Sequence, residues 1–516
     1  MAASNFLIVM ADQLTPFALG CYGHPLVRSP HIDALAAEGV VFDSAYCNSP
    51  LCTPGRYAFM TGRYVSRFGG YDNAAYLPST LPTFAHYLRA MGYRTCLSGK
   101  MHFVGPDQLH GFEQRVTTDI YPADFGWVPD WRMPEQRIDL WYHNMSSVKQ
   151  AGVAEITNQL AYDDEVGAQA LRWLYDAARN GDGRPFCLVT SFIHPHDPYA
   201  ARRQFWDLYE GEEIDLPRVA RPAAEANDPH SLRLERAIAV DAAEVTEEDV
   251  RRARRAYYAN VSYVDHWLGR LMQTLTDLGL RDDTVVVFLS DHGDMLGERG
   301  LWYKMSLYEW SVRIPLIVSA PQLFAARRVA APASQVDVLP SLMALAAESG
   351  AGEMPEPVDP LDGVSLLPAC RGEADQGRAV SEYLAEGAAA PLLMIRQGRF
   401  KYTCCPGDPE QLFDLEADPD ELTNLAGDPG QAEVLADFRR QAGAHWDTEA
   451  VARAVLEDQA RRRFINGALT RGQHTGWDYQ PPRAAGDEYT RSHMELSDHD
   501  ARSRFPPPPA FTPRWR

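Results

Sequence analysis

Apolar runs that break abruptly into polar residues recur along this chain, and they predict buried strands with functional ends. Phe6 to Met10 is unbroken and gives way to Ala11-Asp12-Gln13, the pattern of a strand covered on both faces that ends in a carboxylate. Phe186 to Phe192 repeats the pattern and opens into His194-Pro195-His196-Asp197-Pro198. Thr284 to Ser290 repeats it again and ends in Asp291-His292-Gly293-Asp294. A shorter strand leads into Ser98-Gly99-Lys100-Met101-His102. Between these runs the spacing predicts helices over Pro30 to Gly39, Leu81 to Gly92, and Thr246 to Leu278, the last with Tyr257, Val261, Val264, Leu268 and Leu271 on one face. Strands alternating with helices predict a doubly wound α/β sheet, whose ligands gather at the carboxyl ends of its strands.

The texture changes after about residue 375. Met394 to Thr403 reads as a β-hairpin around Gln397-Gly398, and Gln411 to Leu415 precedes the acidic turn Asp418-Pro419-Asp420-Glu421. The expected division is a catalytic domain over 1–375, a subdomain with a small β-sheet over 376–450, and a helix with an extended tail over 451–516. From about 475 the chain is polar and Pro-rich, and it closes with Phe505 and four prolines.

Composition narrows the function. A chain of 516 residues, 45% hydrophobic and 23% charged, is long enough for a large core. Its formal net charge of -21 argues against nucleic-acid or anionic-membrane partners, which need clustered Lys and Arg. Met1-Ala2-Ala3-Ser4 lacks a basic region, and the apolar run after it is too short for a signal or a membrane span, so the reading expects a cytoplasmic protein. The eight cysteines show neither zinc-type nor disulfide-framework spacing, and only Cys52 reads as chemical.

Cys52 opens Cys52-Thr53-Pro54-Gly55-Arg56. This pentapeptide, the segment Gly92-Tyr93-x-Thr95-x-x-x-Gly99-Lys100-x-His102, the His-Pro-His turn and Ser290-Asp291-His292-Gly293 occur in the order that resembles the type I sulfatases. Tyr71-Asp72-Asn73-Ala74-Ala75, Ser98 to His110, Thr117 to Trp131, and the tail with Trp477-Asp478-Tyr479-Gln480-Pro481 look like the choline-sulfatase branch. The resemblance covers roughly residues 5 to 430. It implies an alkaline-phosphatase-like doubly wound mixed sheet flanked by helices, with a smaller C-terminal α+β subdomain and an extended tail. It also implies that Cys52 is oxidised by a formylglycine-generating enzyme to formylglycine, whose hydrate attacks sulfur and later expels sulfate.

The site residues follow from the same resemblance. Asp12, Asp291, His292 and the modified Cys52 are the expected ligands of one divalent cation. Gln13 and His292 stand where many sulfatases have carboxylate or amide, which leaves Ca²⁺ and Mn²⁺ both open. Arg56, one helical turn beyond Cys52, is expected to fix the diol. Lys100 would bind a sulfate oxygen and His102 take the proton when the sulfated hemiacetal collapses; His196 and Lys304 are the candidates for protonating the leaving alcohol. Asn73 would donate to sulfate, with Asp72 serving the turn. For a trimethylammonium group, Trp127 offers an aromatic face with His143 beside it, and Glu386, Asp498 or Asp500 would supply negative charge, the last two across a subunit interface.

The implied reaction is hydrolysis of choline O-sulfate to choline and sulfate by a homo-oligomer assembled through its tail. The alternatives are an arylsulfatase or phosphonate monoester hydrolase with the same core, and a non-catalytic anion-binding protein in which Cys52 stays a thiol.

Overall fold

The computed structural model describes residues 4–121, 124–133, 143–180, 182–373, 377–472, 500–501 and 504–509. At its centre lies the strand Asn5–Asp12, with every residue buried. It pairs in parallel with Phe186–Pro195 on one side and Thr284–Ser290 on the other. Beyond Phe186–Pro195 come Arg94–Gly99 and Gln114–Arg115, again parallel. Beyond Thr284–Ser290 the sheet turns mixed: Leu316–Ser319 runs antiparallel to it and to Val40–Phe42, and Arg327–Val329 closes that edge. The apolar runs carry no alternation because helices cover this eight-stranded sheet. One group comprises Pro30–Glu38, Asn158–Asn180 and Glu247–Asp277, and another Cys52–Thr61, Phe84–Ala90 and Val338–Glu348.

The predicted elements are present with local differences. The helix Glu247–Asp277 begins at a Thr246 capping box with Asp249. The helix expected from Leu81 starts at Phe84, because the Thr83 hydroxyl and the His86 ring form a capping box that sets its first turn. The strand from Phe186 runs on to Pro195, carrying the histidine turn to the sheet edge. The helix Cys52–Thr61 is buried throughout and stops at Gly62, whose φ of 66° suits a residue without a Cβ.

A four-stranded antiparallel sheet of Arg378–Tyr383, Leu392–Gln397, Phe400–Cys404 and Gln411–Asp414 follows, and it contains the expected hairpin. Glu382 fastens this sheet to the body, accepting from Ser66 N–H and hydroxyl and from Trp446 Nε1, with His445 Nε2 at 2.7 Å. The helices Ala432–His445 and Thr448–Leu469 come next. Among the described residues no helix is long and apolar enough to cross a membrane, and all eight cysteines are free thiols. Trp477 to Pro481 and Asp498 lie outside the described residues. Phe505 pairs with Ile156 of its own chain through two backbone hydrogen bonds.

Candidate active site

Four parallel strands deliver polar groups to one sheet edge. Asp12 is the last residue of the central strand, and Lys100, His196 and Asp291 immediately follow the ends of three others. This is where an open α/β sheet places its ligands. Cys52, at the start of its helix, points into the same space: its Sγ lies 3.2 Å from His292 Nε2 and 3.8 Å from Asp12 Oδ1.

Charge is concentrated here and balanced. Arg56 donates Nη2 to Asp12 and Nε to Asp291, both at 2.8 Å, and Nη1 to the Lys100 carbonyl and Ser191 Oγ. Lys100 Nζ donates to Asp12 as well. Burial alone would raise the Asp12 carboxyl, but Lys100 and Arg56 hold it well below the usual carboxylate range. The Cys52 thiol goes the other way, pushed up to about 11 by burial and by Asp12. At neutral pH it is therefore protonated and a poor nucleophile in its own right. These four Arg56 hydrogen bonds go to carboxylates, a hydroxyl and a carbonyl. The guanidinium thus orients the groups around Cys52.

The donor set fits a divalent cation. Asp12, Cys52, Asp291 and His292 each offer one ligand atom, all within 4.8 Å of one another and all buried. His292 Nδ1 lies 3.0 Å from the Gly293 carbonyl and donates to it, which leaves Nε2 to face the cluster. The buried carboxylates are hard oxygen donors of the kind that Ca²⁺ and Mn²⁺ take, while the imidazole nitrogen suits a softer ion than Ca²⁺. A second convergence of His143, His196 and Asp197 lies close by.

Beside the cluster, His196 Nδ1 donates to the Asp197 carbonyl at 2.6 Å, so its Nε2 accepts from Lys304 Nζ at 2.8 Å. Burial and Lys304 push His196 well below the ordinary imidazole value. Burial opposes the charge on Lys304, yet the acidic groups around it, Cys52 and Asp197 foremost, raise its pKa. Lys304 also donates to Gln13 Oε1, while Gln13 Nε2 reaches Asp294 at 2.6 Å.

His102 occupies a left-handed backbone position, φ 58°, with its N–H held by Asp119 at 2.7 Å. Lys100 therefore lies two residues before a left-handed position. Gln13, Tyr303 and Met305 share positive φ, at 64°, 66° and 74°. Such strained positions concentrate at functional sites. Both ring nitrogens of His102 are buried without a partner among the described residues, and burial and Lys100 push its pKa well down.

The remaining expected residues are placed as follows. Asn73 Oδ1 accepts from the Thr53 N–H at 3.0 Å, next to Cys52. Trp127 is half-buried, its ring 5.6 Å from His102 and 5.5 Å from Tyr121. His143 stands 6.5 Å from His196 and 5.3 Å from Tyr303. Glu386 is half-buried just after the strand Arg378–Tyr383, and its neighbour Ala385 accepts from Trp131 Nε1, which brings this corner against the Trp127 segment. Asp500 is buried against its own chain, in a pocket shared with Ser147, Gln159 and Pro198 behind the Asp197 turn. Sequence reasoning missed Tyr121, whose ring lies 4.3 Å from Lys100 Nζ, and Ser191, Asp119 and Asp294. Asp119 and Tyr121 sit in a segment the motifs had marked; Ser191 is hidden inside an apolar strand.

A family profile described as Sulfatase matches residues 4–348, one described as N-sulphoglucosamine sulphohydrolase, C-terminal, matches 297–445, and one described as choline sulfatase enzyme C terminal matches 453–505. The choline-sulfatase of Rhizobium meliloti (strain 1021) is 51% identical over 509 residues, 97% of this chain and 98% of that protein. A sulfatase of Escherichia coli (strain K12), YidJ, is 32% identical over 67% of this chain and 68% of its own length. The phosphonate monoester hydrolase of Agrobacterium radiobacter superposes with a TM-score of 0.68 at 25% identity, covering 86% of this chain and 95% of that one. With its strand-end cluster and these similarities together, the chain belongs to the sulfatase family.

Proposed function

We propose that this sulfatase hydrolyses choline O-sulfate to choline and sulfate. The observation that carries the substrate is the 51% identity to a choline-sulfatase along nearly the whole of both chains, tail included. The half-buried Trp127 ring beside His102 supports it, because an aromatic face beside the reacting centre suits a quaternary ammonium group.

Asp12, Asp291, His292 and the oxygens formed at position 52 would hold the divalent cation, for which Ca²⁺ and Mn²⁺ are both suitable. In this family, formylglycine supplies a geminal diol that attacks sulfur, and the cation draws charge from the sulfate oxygens. The chain's own groups do the rest. Arg56 fixes the two carboxylates, and the Lys100 ammonium faces the sulfate oxygens. Lys304, kept protonated, gives its proton to the departing alcohol while the neutral His196 ring orients it. His102, neutral and unpartnered, accepts the proton of the second hydroxyl when sulfate leaves. A formylglycine-generating enzyme would mature Cys52, and a cytoplasmic homo-oligomer built through the tail completes the reading.

The fold shared with a phosphonate monoester hydrolase favours side activity on aryl sulfates and phosphonate esters, since charge-stabilising groups recognise a tetrahedral oxyanion. Steady-state kcat/KM for choline O-sulfate, p-nitrophenyl sulfate and a phosphonate monoester tests the order of preference. Trp127→Ala is expected to lower the choline O-sulfate value about tenfold, within the cation–π range of about 0.5 to 2 kcal/mol, and to leave p-nitrophenyl sulfate within about twofold. An unchanged ratio between the two removes Trp127 from the pocket.

A further inference from the structure

The helix Thr448–Leu469 is held to the body in an unusual way. The residues it buries are Val455, Gln459 and Arg462, one face at spacings of four and three, and two of the three are polar. Each polar one is committed to a loop of the active site. Gln459 Oε1 accepts from the Trp131 N–H at 2.9 Å. Arg462 lays both terminal nitrogens on the two oxygens of Asp72, each at 2.7 Å, and its Nε on Asp458 at 2.8 Å. Asp72 is fully buried and Arg462 nearly so. The guanidinium also lies 5.9 Å from the Phe125 ring, two residues before Trp127.

Asp72 precedes Asn73, and its own Oδ1 accepts the Ala74 N–H at 3.0 Å, so the carboxylate that Arg462 grips shapes the turn around Asn73. Asn73 in turn satisfies the Thr53 N–H with its side-chain oxygen and accepts the Thr53 hydroxyl on its backbone oxygen. The Thr53 amide is one of the donors left open at the N-terminus of the helix that begins with Cys52. Hydrogen bonds at both ends and the backbone between Asp72 and Asn73 thus connect the C-terminal helix to the residue after Cys52. A buried ion pair adds little stability over an apolar pair of the same shape, but a two-point guanidinium–carboxylate fork fixes geometry.

We propose that Arg462 is a positioning residue: by clamping Asp72 it sets Asn73 against the Cys52 helix and so holds the sulfate side of the site from the C-terminal helix. The inference rests on the proposed role of Asn73 toward sulfate.

The test is a double-mutant cycle of Arg462→Met with Asn73→Ala, read as kcat and KM for p-nitrophenyl sulfate on protein whose formylglycine content has been matched by peptide mass. Arg462→Met is expected to cost about 10- to 100-fold, chiefly in kcat, as loss of an outer-shell partner does. In the Asn73→Ala background the same change should cost less than about threefold, because its effect has already been removed. Arg462→Lys, which keeps the charge but not the fork, goes through the same cycle with the same expectation, and it decides alone if Arg462→Met fails to fold. Equal losses in both backgrounds, or full activity of Arg462→Lys, would overturn the proposal. Choline O-sulfate is run in parallel: if it is not turned over while the coupling on p-nitrophenyl sulfate holds, the substrate reading falls and the positioning role stands.

Discussion

The proposed sulfate side and the proposed alcohol side of this site are built differently. Asp12, Lys100 and Asp291 come from the ends of three parallel strands, and Arg56 fastens Asp12 and Asp291, on two neighbouring ones, through one guanidinium. Trp127, His143, Glu386 and Asp500 come from excursions scattered along the chain, and the segment that carries Trp127 is braced from the C-terminal sheet and helix. The difference separates two tasks. Stabilising charge on a tetrahedral group needs fixed, dry dipoles, which a sheet edge provides; choosing an alcohol needs a surface that loops can reshape without disturbing the sheet. The phosphonate monoester hydrolase fits this division, since it shares the framework at 25% identity.

The largest expected effect sharpens the division by striking the shared half. Cys52→Ala removes the residue proposed to become the nucleophile, and kcat/KM should fall by about 10⁴-fold or more for choline O-sulfate and for p-nitrophenyl sulfate alike. A loss confined to one substrate would mean that the two esters do not use one nucleophile, and the division would fail.

Lys304→Met probes the boundary between the halves. The alkyl alcohol of choline is a poor leaving group and needs its proton as the S–O bond breaks, whereas nitrophenolate does not. The variant should lose about 10²- to 10³-fold on choline O-sulfate and less than about tenfold on p-nitrophenyl sulfate. Equal losses would place Lys304 with the sulfate-binding charges instead.

The two halves were also unequally legible in the sequence. Strand-end groups announce themselves, because a long apolar run that stops at Asp12 or Asp291 marks both the element and the functional residue. The same logic hides Ser191, which sits within its strand yet binds Arg56, and it gives no hint that Arg56 would span two carboxylates. Backbone conformation is invisible to period counting, so nothing in the sequence announces the left-handed position of His102. The placement of Asp500 behind the Asp197 turn depends on where the tail returns, and contacts of that kind, hundreds of residues apart, leave no local pattern. Arg462 illustrates the point: on a helix face it reads as one more exposed charge, and only the Asp72 fork gives it meaning.

The smallest expected effect is a flat pH profile, and it tests whether the charges of the sulfate side act as one unit. Burial and then the Lys100 cation hold the His102 imidazole well below its usual 6.5. A base must be neutral to accept a proton, so lowering the pH to 6.5 leaves His102 competent. In kcat, which includes the step in which sulfate leaves, both substrates should vary by less than about twofold between pH 8 and 6.5 and share an acid limb below that range. Lys304 is held above its ordinary 10.5 and stays a proton donor across the same window. Replacing Lys100 by Met removes the second cause of the His102 shift while leaving its burial intact. The acid limb should then move upward toward 6.5 for both esters, whatever the loss in absolute rate. An acid limb centred at or above 6.5 in the unaltered enzyme would remove His102 from the proton transfer, and a limb that Lys100→Met moves for only one ester would show that the charges of this half do not serve the two substrates in common.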